Sequence, residues 1–89
     1  MAPGWAAVSL YSTIGLLASA QANMRQSREY AEAHRAHLRA ALTEKTQAGR
    51  TIGLAYAEDY ACKARRYKQW ADALMVAYAE AKEQEHADT

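Results

Sequence analysis

Phenylalanine is absent from the chain, cysteine and proline occur once each, and large aliphatic side chains are sparse. The lone Cys62 excludes an intramolecular disulfide and any multi-cysteine zinc or iron–sulfur site; its expected place is that of a small buried hydrophobe. Of the 89 residues 51% count as hydrophobic, but about a quarter of the chain is Ala. Little Leu, Ile, Val or Met remains to build a core. Chains of this length bury only about 60–65% of their unfolded surface, so one poor in large apolar groups is expected to lean on copies of itself, a partner or a membrane. The length allows one domain, residues 1–89. Catalytic signatures are missing too. Glu58 and Asp59 are adjacent and diverge on a helix, no Ser or Cys stands beside a plausible base, and there is neither a phosphate-cradling glycine loop nor a cofactor motif. The expectation is a non-enzyme without a cofactor.

Charge is unevenly spread. None occurs from Met1 to Met24; ten bases face five acids from Arg25 to Lys68, and one base, Lys82, faces five acids from Asp72 onward. The sum is only +1, which argues against nucleic acid as a partner, because that binding draws on a distinctly basic surface. A basic middle and an acidic end suit head-to-tail or antiparallel stacking.

The uncharged residues 3–22 read in three ways. A secretory signal lacks its basic start, although Ala18-Ser19-Ala20 resembles a cleavage site. A membrane span is long enough, with Trp5 as an interfacial anchor and Arg25 and Arg28 on the far side, which would be cytoplasmic. Its Ser, Thr and Gly residues cancel most of the insertion energy, so it would suit one of several packed helices. The third reading is a helix buried in a soluble assembly.

What is present is helix-forming. Residues 24–47 contain no Pro or Gly, and a seven-residue register runs through Leu10, Leu17, Met24, Ala31 and Leu38, with Ala20, Ser27, His34 and Ala41 as its second seam position. This predicts an all-α fold, a long helical hairpin with coiled-coil packing. Its first helix comprises an uncharged segment (1–24) and a continuation (25–48). Gly49 is expected to end it in a left-handed conformation and Thr51 to cap the next, placing the turn at 49–51 and the second helix at 52–85. In that second helix Tyr56, Tyr60, Tyr67, Trp70, Leu74 and Ala77 recur at threes and fours, an aromatic stripe expected to seat its rings in the small-residue surface of the first. Lys63 on the stripe must snorkel or pair with an acid.

His34 and His37 lie one turn apart, but two histidines alone make a poor metal site. The Glu-x-x-His spacing occurs only at Glu83 and His86, in a tail prone to fray. The expected roles are one seam and one solvated histidine. Around Tyr67, Arg65, Arg66 and Lys68 form a candidate anion contact, against the simpler reading of a solvated face.

The run Gly15-Leu16-Leu17-Ala18-Ser19-Ala20-Gln21-Ala22-Asn23, passing into the Ala/Gln/Arg/Glu-rich stretch Arg25 to Arg39, resembles the small internal virion, or ejection, proteins of short-tailed phages; the likeness covers residues 4–39. It implies a virion component that assembles into a conduit across the cell envelope, and assigns no residue a role. The residues themselves point to assembly through helix–helix contacts with copies of the chain or a larger complex, carried by Trp5, Leu10, Leu17, Tyr56, Tyr60, Tyr67, Trp70 and Leu74. Two other classes fit the same features: a single-pass accessory subunit of a membrane complex, and a small soluble helical inhibitor of another protein.

Overall fold

A computed structural model describes the backbone of residues 4–87 and the side chains of residues 13–87. It is an all-α helical hairpin of two long helices, α1 (Gly4–Leu42) and α2 (Gln47–Ala87). Helix α1 passes through Met24 without a break, as its unbroken run of helix formers requires.

The turn lies earlier than glycine placement suggests. Helix α1 stops at Leu42, not at Ala48, and α2 starts at Gln47, not at Ile52. Threonines set both ends. Thr43 Oγ1 donates to the Ala40 carbonyl at 2.9 Å, and the N–H groups of Thr43 and Glu44 close on Ala40 and Ala41. On the other side the Gly49 N–H donates to Thr46 Oγ1 at 3.0 Å, so Thr46, rather than Thr51, caps α2. Arg50 reaches back to donate to the Glu44 carbonyl at 2.9 Å, which leaves Gly49 inside the first turn of α2. No glycine among the described residues has a positive φ; Gly49 is a first-turn residue, not a left-handed helix stop.

Small residues hold the two helices together. Among the described residues the buried hydrophobic ones are Ala20 and Ala41 on α1 and Ala57 and Ala71 on α2, with Thr13 the buried polar one. Two side chains fix the antiparallel register: Ser27 Oγ donates to the Ala64 carbonyl at 2.8 Å, and His34 Nδ1 lies 2.7 Å from the Ala57 carbonyl, to which its N–H donates. One heptad up α1 is therefore one heptad down α2. The same register sets Ala20 level with Ala71. Leu17, Met24, Ala31 and Leu38 flank this line half-buried, so both predicted seam positions of α1 face the partner helix. Gly53 shows how near the backbones come: a Cβ there would stand 2.7 Å from Ala41 Cβ and 3.1 Å from Ala41 Cα. The result is a rod measuring 66 × 20 × 13 Å.

Candidate functional site

The rings expected in the seam divide: Tyr60 and Tyr67 flank the alanine line half-buried against α1, whereas Tyr56 and Trp70 stand at its outer edge, exposed. His37 stacks on Tyr60 with centroids 4.8 Å apart, Tyr30 contacts Tyr60 at 6.0 Å and Tyr67 at 5.5 Å, and Tyr67 meets the Trp70 ring edge-on at 5.1 Å. Tyr56 closes the row, 6.4 Å from His37. Tyr30 and His37 come from α1, so the ladder is built by both helices; their spacing of seven was the available signal for this, and a stripe read from α2 alone missed it.

Lys63 both snorkels and pairs. Its Nζ is 3.1 Å from Asp59 Oδ2 and lies 5.7 and 5.4 Å from the centroids of Tyr30 and Tyr60. Its pKa is raised above the ordinary lysine value, first by the hydrogen bond to Asp59 and then by that carboxylate's charge. Beyond the ladder, Ser19, Asn23, Trp70, Ala73 and Leu74 line an open groove of about 470 Å³.

The candidate contact residues divide accordingly. Leu17, Tyr60, Tyr67 and Leu74 are half-buried against the facing helix, whereas Tyr56 and Trp70 are exposed. Trp5 and Leu10 lie outside the residues whose side chains are described. Arg65, Arg66 and Lys68 are exposed and do not converge: Arg65 pairs with Glu58 and Lys68 with Asp72, each at 3.2 Å, and Arg66 makes no pair among the described residues. His34 belongs to the seam; His37 is exposed but stacked. Among the described residues no three His, Cys, Asp or Glu side chains gather where a metal ion could be held.

Cys62 is exposed, contrary to its hydrophobic character. It follows Ala57 by five residues, on the far side of α2 from the seam. Its Sγ lies 3.6 Å from Glu58 Oε1 and 3.3 Å from Arg65 Nη2. Among the described residues no helix is long and apolar enough to cross a membrane.

The chain matches no protein-family model, no curated protein and no solved structure.

Proposed function

We propose that this chain is a non-enzymatic assembly protein whose helices complete their packing against copies of itself or within a larger protein complex. One observation carries this reading. Among the described residues the hairpin fully buries only small side chains, while Ile14, Leu42, Ile52 and Val76 remain 82%, 66%, 58% and 60% exposed and the rings of Tyr56 and Trp70 stand 59% and 49% exposed. Burying a large apolar side chain is worth about 1.5–3 kcal/mol, and an alanine-lined seam yields only a fraction of that per layer. Several apolar groups that could stabilise the rod are thus on its outside, where only another molecule can cover them. Single exposed hydrophobes are ordinary on any surface; here they include Trp70 and both described isoleucines, while the fully buried hydrophobic residues among the described ones are all alanines. Size-exclusion chromatography with light scattering tests the proposal. A defined oligomer or a stable co-complex is expected, and a well-folded monomer at every accessible concentration overturns it.

A further inference from the structure

Helix α2 carries a second heptad stripe beside its seam. Ile52, Tyr56, Asp59, Lys63, Arg66 and Trp70 follow at alternate steps of four and three, and the stripe continues through Ala73. On α1 the positions sharing this side of the rod are Leu16, Ser19, Asn23, Gln26, Tyr30 and Ala33, followed by His37 and Ala40, with no formal charge among them. Every charged residue of α1 (Arg25, Arg28, Glu29, Glu32, Arg35 and Arg39) lies off this face. One broad side of the hairpin is therefore aromatic and almost neutral.

We infer that this face is covered by a second copy of the chain, lying antiparallel so that α2 packs on α2 and α1 on α1 in a two-fold four-helix bundle centred near Lys63 and Tyr30. The inference rests on the assembly reading and names its partner. Two observations select it. First, the stripe is self-complementary when reversed. Turning it end for end about Lys63 brings Asp59 opposite Arg66 of the second copy and Arg66 opposite its Asp59, the pattern an isologous interface demands. Among the described residues Arg66 makes no ion pair or hydrogen bond, and Asp59 pairs with Lys63 alone. The same reversal places Ile52 level with Ala73 and Tyr56 level with Trp70, so the exposed Ile52 and Tyr56 of one copy meet the groove lined by Ser19, Asn23, Trp70, Ala73 and Leu74 in the other. Around the axis the two Lys63 side chains are each already paired with their own Asp59.

Second, the rod is electrically polar. Ten bases against five acids give +5 to residues 25–68, in the half that carries the turn, and one base against five acids gives −4 to residues 72–89, at the open end. A parallel dimer would set like halves together, whereas the antiparallel one lays Asp72 and Glu80 of each copy level with the basic turn region of the other, which carries Arg39, Lys45 and Arg50. The surface offered is sufficient. Two helices packed side by side present a face roughly 20 Å wide, and an overlap reaching from the turn to the same distance beyond Lys63 spans about 50 Å at about 1.5 Å per residue, or on the order of 1,000 Å² per copy against about 800 Å² in a standard stable interface.

A charge exchange tests the register. The full chain is expected to sediment as a dimer. Asp59→Arg and Arg66→Glu, each alone, set like charges together and are expected to raise the dissociation constant roughly tenfold or more. In an equimolar mixture of the two variants, every such pair again joins opposite charges, so heterodimer forms in preference to either homodimer. Circular dichroism follows helicity throughout. Arg66→Glu touches no contact within the hairpin and carries the test even if Asp59→Arg loosens it by freeing Lys63. A dimer indifferent to Arg66→Glu, or singly weakened variants that mixing does not restore, removes this arrangement and leaves the assembly reading standing. A well-folded monomer removes both.

Discussion

At Gly53 the two helices approach most closely in a way that substitution can probe. Adding a methyl group there sets two Cβ atoms 2.7 Å apart, with the Ala41 backbone close behind, so the helices must part rather than a flexible side chain give way. Overpacking of this kind costs about 1–3 kcal/mol, and the better helix propensity of alanine returns up to about 1. Gly53→Ala is expected to lower stability by about 1–2 kcal/mol in urea melts, although in an isolated helix it would stabilise. From sequence this glycine reads as a weak spot in a helix; its value shows only against the residue facing it. Lys63 gives a second residue-level expectation. Because its folded pKa is raised by Asp59, the pair contributes at every pH below the ordinary lysine value of about 10.4 and is lost as pH climbs through the raised value. The melting temperature of the wild type should hold through the neutral range, and its alkaline decline should include a component absent from Asp59→Asn. Parallel declines in the two proteins would contradict this. Cys62 shows the reverse error to Gly53: its chemistry suggests burial, but its angular position on the helix decides.

For the elements, hydrophobic and small-residue periodicity was enough to read two long helices, the unbroken passage through Met24 and both seam positions of α1. It was not enough to place the turn. Gly49 resembles a helix stop and Thr51 a helix start, yet Thr43, Thr46 and Arg50 satisfy the free backbone groups six residues or so earlier. Local side-chain hydrogen bonds of this kind leave no periodic trace. Thr46→Ala should therefore cost about 1 kcal/mol in thermal or urea melts, as loss of a cap does, while Thr51→Ala should change stability by no more than about 0.5 kcal/mol. Equal effects would return the start of α2 to Thr51. The aromatic row was legible in part. Its α2 members stood out by spacing, but Tyr30 and His37 join it only once the antiparallel register is known, and the predicted seating of rings holds for the half-buried Tyr60 and Tyr67 but not for the exposed Tyr56 and Trp70, because alanines fill the axis itself.

Taken whole, the described molecule is a thin rod with alanine at its axis and several of its large apolar groups outside. A core of small residues brings two backbones close but removes little apolar surface from water. The shortage of large side chains apparent in the composition leaves a seam whose fully buried residues are alanines, and several of the large groups, Ile52, Tyr56 and Trp70 among them, stand where one hairpin cannot bury them. Stability of such a chain belongs to the assembly and should follow mass action. The thermal midpoint, measured over roughly three decades of protein concentration, tests this most directly: the account predicts a midpoint that climbs steadily with concentration, and a cooperative transition at one fixed temperature throughout would contradict it.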